Sequence, residues 1–398
     1  TAILNTIISG NTANSACGLD CAGGGGVFNQ GGYVSLSDMS VIGNASLGGI
    51  GNVGGGLFNL NGGVMEIKNV DLNRNTSNES GGGAFNGYGS YMEMSVDRVM
   101  TNTVAQYGGG VVNSGTLVID NSIFAGNVVT ADAIFVGGGA IQNFGILTVT
   151  ASTIASNTAR LGGGIQNDAV AVLALINSSI SYNSATNYAG LSLSGQVSVL
   201  NSTIDHNTSL GNGAGINNRG NLALTNSTIS SNRISFGGWG AGLDNQSGMA
   251  QLINVSVISN TSTIGGAGFH TLGALYLTNT LLAGNVWMSS AQANCGGTTY
   301  TSRGYNLSSD ATCTLLNATG DMTNVNPHIG PLANNGGSTW THALRVGSPA
   351  IDRGTNAGCP STDQRGIARP QLVKCDIGAY EYDGVLKIVF LPLTLKNY

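Results

Sequence analysis

The sequence predicts an all-β protein: a right-handed, single-stranded parallel β-helix of about eleven coils, followed by a disulfide-containing C-terminal cap and a terminal β-strand. Two observations predict the solenoid. An asparagine motif recurs between Asn11 and Asn285 at a mean spacing of about 27 residues. Clusters of glycine recur with it, and Gly accounts for 63 of the 398 residues. This glycine content, without a helical spacing of apolar residues, argues against helices.

Each repeat contains an asparagine that follows an aliphatic or aromatic residue by three positions. Another apolar residue always stands eight positions before the same asparagine, as Ile119 does for Asn127. Because strands in stacked coils lie about 4.8 Å apart, asparagine side chains at one repeat position can bond to each other along the axis. We expect a structural ladder of Asn11, Asn44, Asn75, Asn102, Asn127, Asn157, Asn183, Asn207, Asn232, Asn260 and Asn285.

A second repeat position lies six residues before the ladder asparagine and is Asn in eight of the eleven coils. Apolar residues alternate with polar ones beside it, which is typical of strands. Asn tolerates a left-handed backbone, so we predict a bend between two strands at this position. The bend residues are Asn5, Asp38, Asn69, Val96, Asn121, Ala151, Asn177, Asn201, Asn226, Asn254 and Asn279.

A third repeat position follows each glycine cluster, as Asn86 follows the cluster at 81–83. Glycine allows neighbouring coils to approach closely. The residues at this position are Asn29, Asn59, Asn86, Asn113, Asn143, Asn167, Leu193, Asn218, Asn245 and Thr271.

The composition limits the partners. Charged residues make up 8% of the chain and the net charge is −5, with no basic patch, so a nucleic acid is not an expected partner. No run of about 20 apolar residues is present, so no transmembrane helix is predicted. Neither a cofactor nor a metal is predicted, because no D-x-[DN]-x-[DN]-G calcium loop occurs. Calcium bound among the Asp and Asn turns is an alternative.

The six cysteines fall into three local pairs, which suggests three short-range disulfides. Some of them being free buried thiols is the alternative. Disulfides indicate an oxidising, extracytoplasmic location. The pairs are Cys17 with Cys21, Cys295 with Cys313, and Cys359 with Cys375.

The first residues already match the interior of a coil, because residues 4–11 (LNTIISGN) correspond to residues 224–232 (LTNSTISSN). Solenoid ends normally carry caps. Either sequence upstream is missing, or another molecule covers this end. The second possibility suggests head-to-tail assembly with the C-terminal tail of a second copy. The assembly residues would be Thr1, Ile3, Ile8, Asn11, Leu386, Ile388, Phe390, Leu391, Leu393 and Leu395.

Short motifs follow one another between residues 295 and 382. They include 304–307 (GYNL), 347–352 (GSPAID), 363–366 (DQRG) and 375–381 (CDIGAYE). In this order they resemble the C-terminal region of secreted bacterial β-helix proteins called "choice-of-anchor Q" proteins. The preceding coils resemble the repeats of polymorphic outer-membrane, adhesin-like proteins.

These resemblances imply a bacterial protein that is secreted, extracellular or attached to the cell surface, and they imply no particular reaction. The charged residues of the C-terminal region are interpreted as a salt-bridged cap over the last coil; they are Asp352, Asp363, Arg365, Arg369 and Asp376. The predicted domains are the repeats at 1–288, the cap region at 289–383 and the tail at 384–398.

The tail is an apolar strand of about eleven residues that contains Pro392, so it suits an edge position. It either folds back on its own domain, acts as a sorting or anchoring signal, or adds to the sheet of a neighbour.

Catalytic candidates are weak. Glu66 and Glu93 both lie nine residues before a ladder asparagine, so they are expected to stack about 5 Å apart in adjacent coils, as in a retaining glycosidase. Asp97 lies nearby. A solvated patch of ion pairs, with Lys68 and Arg98, is the alternative interpretation.

Loop lengths indicate where binding takes place. The segment between the ladder asparagine and the next glycine cluster varies most in length, which is typical of the variable face of a solenoid. Aromatic residues that could supply contact surface are Tyr88, Tyr91, Tyr107, Tyr182, Tyr188, Phe236, Trp239 and Trp287. The alternative is that these side chains only cover the edges of the coils.

The sequence therefore favours a non-enzymatic, extracellular structural or adhesive protein that assembles head-to-tail with itself and contacts surface glycans or other cells. The alternatives are a polysaccharide lyase or glycoside hydrolase that uses Glu66, Glu93 or Asp97, and a monomeric glycan-binding adhesin.

Overall fold

The computed structural model describes residues 1–14, 24–48, 53–132, 136–287 and 291–384. Over these ranges the chain forms an all-β parallel solenoid of about 10 turns without a helix, which confirms the predicted fold class. Its handedness stays a prediction. No helix in the described part of the chain is long and apolar enough to cross a membrane.

The largest sheet, here called the main sheet, has 22 strands. Most coils contribute two of them, one on either side of the bend residue, whereas Tyr33–Ile42 and Val64–Asn73 each run through the bend as one strand. The strands are Ala2–Leu4, Ile7–Ser9, Tyr33–Ile42, Val64–Asn73, Tyr91–Ser95, Arg98–Met100, Thr116–Asp120, Ile123–Ala125, Ile146–Thr150, Thr153–Ala155, Val172–Ile176, Ser179–Ser181, Gln196–Leu200, Thr203–Asp205, Asn221–Thr225, Thr228–Ser230, Met249–Ile253, Ser256–Ile258, Ala274–Thr278, Leu281–Ala283, Tyr300–Ser302 and Leu307–Ser308.

A narrow sheet of 12 short strands follows the ladder asparagines. Its strands are Thr12–Ala13, Ala45–Ser46, Thr76–Ser77, Thr103–Val104, Val128–Val129, Thr158–Leu161, Ser184–Asn187, Thr208–Ser209, Arg233–Ile234, Thr261–Ser262, Val286–Trp287 and Ala291–Gln292.

The glycine sheet, with 11 strands, follows the glycine clusters. Its strands are Val27–Gln30, Leu57–Leu60, Ala84–Asn86, Val111–Asn113, Ile141–Asn143, Ile165–Asn167, Leu191–Leu193, Ile216–Asn218, Leu243–Asn245, Phe269–Thr271 and Cys295–Gly297.

Equivalent repeat positions face each other in register. In the main sheet Leu117 pairs with Leu147 and Ile119 with Val149, and all four side chains are buried. Their apolar neighbours in successive coils form one continuous core along the solenoid axis. The alternation seen in the sequence therefore puts every second residue of a strand into the core.

All eleven bend residues have a positive φ, as predicted. The φ angle of Asn121 is 45° and that of Asn201 is 50°. Val96 and Ala151 adopt the same conformation, with φ of 60° and 47°, although neither has a side chain that favours it. Close packing of the glycine clusters is also observed: a Cβ on Gly82 would lie 2.5 Å from the carbonyl oxygen of Gly109 in the next coil.

The predicted asparagine ladder is confirmed. Asn127 is typical: its backbone N–H and its Nδ2 both donate to Oδ1 of Asn157, at 2.9 Å each. Nδ2 also donates to the carbonyl oxygen of Val99 in the preceding coil at 2.9 Å. The pattern runs from Asn11 to Asn285 and is extended by Asn294, whose Oδ1 accepts from Asn285 Nδ2 at 2.8 Å. Each buried amide is therefore satisfied by its equivalents in neighbouring coils.

A second ladder runs through the third repeat position. Asn59 Nδ2 donates to Asn86 Oδ1 at 3.0 Å and to the carbonyl oxygen of Tyr91 at 2.8 Å. Buried Leu193 interrupts this ladder, which resumes where Asn218 donates to Asn245.

A third ladder was not predicted: a serine follows the bend in five successive coils, and each hydroxyl accepts a backbone N–H from the coil before. These serines are Ser122, Ser152, Ser178, Ser202 and Ser227.

Parallel pairing continues beyond residue 288. Cys295–Gly297 pairs with Phe269–Thr271, and Leu307–Ser308 pairs with Leu281–Ala283. The disulfide between Cys295 and Cys313 is formed, and buried Cys313 packs against the end of the apolar core. The predicted domain boundaries stay a prediction.

Residues 326–384, here called the C-terminal lobe, contain a two-stranded antiparallel sheet of Ile329–Ala333 and Thr341–Leu344. The disulfide between Cys359 and Cys375 is formed in this lobe, whereas Cys17 and Cys21 lie outside the described residues. The lobe packs along the side of the solenoid, where it contacts the short strands of the main sheet in several coils. Thr228 Oγ1 donates to Gln364 Oε1 at 2.7 Å, and Asn254 Nδ2 donates to the carbonyl oxygen of Asp376 at 3.0 Å.

Candidate binding site

The outer surface of the glycine sheet changes character along the solenoid. The residue just before the third repeat position faces away from the core, and its equivalents pair in register. In the first coils this row is apolar: Phe58 lies between Phe28 and Phe85, at ring centroid distances of 5.0 and 5.5 Å. Towards the C-terminus it becomes polar. The full row is Phe28, Phe58, Phe85, Val112, Gln142, Gln166, Ser192, Asn217, Asp244 and His270.

Asp244 is the centre of the polar part of this row. Its side chain is 1% exposed, and its Oδ1 lies 3.0 Å from His270 Nδ1. Its Oδ2 accepts from Gln246 Nε2 at 2.8 Å and from Asn217 Nδ2 at 3.3 Å. Because a carboxylate accepts hydrogen bonds, the proton of His270 lies on Nδ1. His270 Nε2 then has no partner among the described residues.

Two further contacts extend this network. The indole of Trp239 packs on the His270 ring at a centroid distance of 4.9 Å and is 38% exposed. Arg219 Nε donates to Gln246 Oε1 at 2.8 Å, and its Nη2 donates to the hydroxyl of Tyr188. We call these residues the Asp244 cluster: Tyr188, Asn217, Arg219, Trp239, Asp244, Gln246 and His270.

The Asp244 cluster combines an exposed aromatic ring with planar polar groups that are held in place by buried partners. The cluster contains one carboxylate, that of Asp244, and one guanidinium, that of Arg219. Within the described ranges, the Trp239 Nε1–H also has no hydrogen-bond partner. Such a surface suits a ligand with both apolar faces and hydroxyl groups.

The sequence pointed to part of this cluster. Tyr188 and Trp239 were among the aromatic residues expected to supply contact surface on the variable loops. Asp244 and His270 were missed, although a signal was present: they share a repeat position that is Phe in three of the first coils. Tyr182, another of the aromatic residues, stacks on His206 at 4.8 Å, and His206 Nδ1 lies 2.6 Å from Asp205 Oδ2.

The structure brings Glu66 and Glu93 together as predicted, since they pair in register on adjacent strands of the main sheet. Each carboxylate already has a tyrosine partner. The hydroxyl of Tyr33 donates to Glu66 Oε2 at 2.6 Å, and that of Tyr91 donates to Glu93 Oε2 at 2.9 Å. The hydrogen bond to Glu66 raises the pKa of Tyr33, and burial raises the pKa of Tyr91.

Asp97 does not join this pair. It is 1% exposed and stands at the position that serine occupies in the following coils, where its Oδ1 accepts the Val70 N–H at 2.7 Å. Its Oδ2 has no partner. Burial raises the pKa of the Asp97 carboxyl to about 7. This position makes Asp97 part of the solenoid wall, away from the outward-facing Glu66 and Glu93.

The residues predicted for assembly are only partly described. Strands Ala2–Leu4 and Ile7–Ser9 of the first coil, with Ile3 and Ile8, pair with Tyr33–Ile42. The tail residues lie outside the described residues; they are Leu386, Ile388, Phe390, Leu391, Leu393 and Leu395. Assembly stays a prediction.

Charged residues of the C-terminal lobe form a buried cluster against the side of the solenoid. Arg369 Nη1 pairs with Glu381 Oε2 at 3.0 Å, and Arg365 Nη2 pairs with Asp363 Oδ2 at 2.8 Å. Burial, with help from the Glu381 carboxylate, raises the pKa of Asp376 to about 7. Within the described ranges, no group of three His, Cys, Asp or Glu residues is arranged to hold a metal ion.

Comparison with protein-family models, with curated proteins and with solved structures found no match to this chain. The resemblance of the repeats and of the C-terminal motifs to secreted surface proteins therefore stays a proposal, and the fold is established by the structure alone.

Proposed function

We propose that the protein is an extracellular structural and adhesive protein, a stiff β-solenoid that presents one edge for binding to glycans or cells. The observation that carries the proposal is a concentration of exposed large apolar side chains on the loops of consecutive coils. Phe236 is 78% exposed and lies beside exposed Leu210, whose carbonyl oxygen accepts the Phe236 N–H at 3.0 Å. Exposed Ile264 lies in the corresponding loop of the next coil. Contiguous exposed apolar surface is typical of interaction sites.

The rest of the molecule supports this role. Asparagine ladders satisfy buried amides in every coil between Asn11 and Asn294, which favours a rigid support for surface residues. The two disulfides of the described chain are compatible with an oxidising, extracellular location.

Adhesion can be tested with beads coated with the full chain and mixed with intact bacterial cells, cellulose, chitin and xylan. We expect retention on at least one of these surfaces. Replacement of Leu210, Phe236 and Ile264 together by Ser is expected to abolish it, because these side chains supply the exposed apolar contact. The control is Val170→Ser, which changes an apolar residue that is 88% exposed in the turn between the glycine sheet and the main sheet. No retention on any surface, or equal loss in the control, would contradict the proposal.

Polysaccharide cleavage is the second candidate, favoured by the register pairing of Glu66 and Glu93. It predicts that the wild-type chain releases reducing or unsaturated ends from a panel of polysaccharides. It also predicts that Glu66→Gln and Glu93→Gln each remove this activity. An inactive wild-type chain would argue against cleavage and leaves the adhesive function as it stands.

Head-to-tail assembly is a separate part of the proposal. Negative-stain electron microscopy of the full chain is expected to show fibres, and deletion of residues 385–398 is expected to leave single rods. Fibres that persist after the deletion would contradict a role for the tail.

A further inference from the structure

We infer that the Asp244 cluster is a binding site for a neutral carbohydrate, in which Trp239 stacks on one face of a sugar ring and the polar groups beside it bond to hydroxyls. This inference names the class of ligand that the Asp244 cluster binds. It rests on the proposed adhesive function only for the role that such binding would have.

The first step of the argument is burial. Asp244 is 1% exposed and Asn217 is 1% exposed, so the floor of the cluster is part of the folded structure and has a fixed shape. Asp244 receives hydrogen bonds from three side chains, on two adjacent coils and on its own. A solvated surface patch needs no such arrangement. A preorganised polar floor, in contrast, lowers the entropic cost of binding a ligand.

The second step is the set of groups that the network leaves available. Three bonding groups at the cluster have no partner among the described residues: Nε2 of His270, Nε1–H of Trp239 and Nη1 of Arg219. One is a nitrogen that accepts while His270 is neutral, and two are donors. Mixed donors and acceptors match sugar hydroxyls, which both donate and accept.

The third step is the aromatic ring. Trp239 is fixed from one side by His270, at a centroid distance of 4.9 Å, yet remains 38% exposed. A ring that is held but exposed offers contact area without much loss of side-chain entropy on binding. The C–H face of a sugar ring is the complementary surface.

The fourth step is charge. The guanidinium of Arg219 and the carboxylate of Asp244 balance each other, and the exposed guanidinium is bonded to Gln246 and Tyr188. This arrangement offers no cluster of cations for an acidic polysaccharide and no cluster of anions for a basic peptide. A neutral glycan fits it best.

Binding can be measured by isothermal titration of the full chain with the hexasaccharides of cellulose, xylan, mannan, chitin and starch, and with hexagalacturonate as an acidic probe. At least one neutral hexasaccharide is expected to bind. Trp239→Ala is expected to weaken that binding about tenfold or more, because a central stacked aromatic residue commonly contributes that much. Trp239→Phe is expected to retain most of the affinity, and Asp244→Ala to lose it.

Trp287→Ala is the matched control, because Trp287 is also 38% exposed but lies in the narrow-sheet strand Val286–Trp287 and has no such polar network among the described residues. It is expected to bind as the wild type does. The inference is overturned if no neutral saccharide binds, if only hexagalacturonate binds, or if the two tryptophan variants lose affinity equally. Beads that adhere while no hexasaccharide binds would overturn the inference alone. Saccharide binding by a chain whose beads do not adhere would overturn the adhesive function alone.

Discussion

The interior of the solenoid and the contact beneath the C-terminal lobe both bury many polar groups, but they satisfy them differently. The ladder repeats one neutral amide in one geometry, so that Asn127, Asn157 and Asn183 each bond to the next. The lobe instead buries charges in an arrangement that does not repeat, with the side chains of Arg369 and Glu381 at most 1% exposed. In the ladder, each buried amide bonds to an identical amide in the next coil, so no charge has to be buried. The lobe contact has no such repeat and uses buried ion pairs instead, and charged groups cost more to remove from water.

The largest effect is expected from breaking the charged region. Arg369→Ala leaves the Glu381 carboxylate buried without its ion-pair partner and removes one hydrogen bond from the carbonyl oxygen of Asp376 and one from that of Gly378. We expect the free energy of unfolding to fall by about 4 kcal/mol. Urea unfolding followed by circular dichroism would measure it. Arg345→Ala, at an exposed arginine of the same lobe, is the control. Equal effects of the two changes would show that the buried pair does not stabilise the lobe.

Breaking the ladder is expected to have the next largest effect. Asn157→Ala removes the acceptor of the Asn127 N–H and Nδ2 and the donor to the carbonyl oxygen of Phe124. We expect a loss of about 3 kcal/mol, because buried groups left unpaired are costly. The same urea measurement applies. Asn177→Gly is the control, since it keeps the left-handed bend, with φ of 51° in the wild type, and removes an amide outside the ladders. A similar loss in both variants would mean that removing any asparagine side chain has this effect, and that the ladder hydrogen bonds do not determine the stability.

Asp97 combines features of both regions, because it is a buried acidic residue at a position of the serine ladder. Replacing it tests what a buried charge costs inside the solenoid. Its folded pKa of about 7 lies well above the value of about 4 in an unfolded chain. Between these values the folded state holds a proton that the unfolded state has lost. The free energy of unfolding of the wild type therefore falls as the pH rises from about 4 to about 7.

Asp97→Ser places a hydroxyl where the following coils have one and removes this dependence. We expect a gain of about 2 kcal/mol at pH 8 and a loss of about 2 kcal/mol near pH 4. The smaller side chain costs about 2 kcal/mol at every pH, whereas the raised pKa of Asp97 costs the wild type about 4 kcal/mol only at the higher pH. Urea unfolding of both chains across this pH range measures the difference. A gain that is the same at every pH would exclude ionisation of Asp97 as the cause.

The smallest effect concerns the bend. Val96 is exposed and has a φ of 60°, a conformation that costs a β-branched residue about 1 kcal/mol or more. Val96→Asn is expected to raise the free energy of unfolding by about that amount, detected as a shift of the urea midpoint. Ile123→Asn, at an exposed strand residue, is the control and is expected to give no gain. If neither change stabilises the chain, the bend carries no strain at Val96.

The sequence was sufficient to predict the repeating part of the fold, because each coil obeys the same local rules. The ladder from Asn11 to Asn285 and the left-handed bends were predicted residue by residue, as were the disulfides of Cys295 with Cys313 and of Cys359 with Cys375. The serine ladder was missed, although a serine directly after the bend, as at Ser178 and Ser202, was a visible signal.

The packing of the C-terminal lobe could not be predicted from the sequence. Its contacts join residues far apart in the chain, such as Thr228 with Gln364, and no period relates them. The interpretation of its charges as a cap over the last coil placed them at the end of the solenoid, whereas they lie along its side. The Asp244 cluster was missed for a related reason, since Arg219, Asp244 and His270 come together only after three coils have stacked.

The asparagine ladder also has a direction. Every Nδ2 and its backbone N–H donate to the Oδ1 of the coil that follows, from Asn11 to Asn44 at one end and from Asn285 to Asn294 at the other. A partly built solenoid therefore shows two unpaired donors at its C-terminal end and one unpaired oxygen at its N-terminal end. Unpaired N–H groups are tolerated less well than unpaired oxygens. Because the two end faces differ, a coil completes the ladder only when its own Oδ1 faces the donors of the coil before it, so the ladder by itself excludes stacking a coil in the reversed direction.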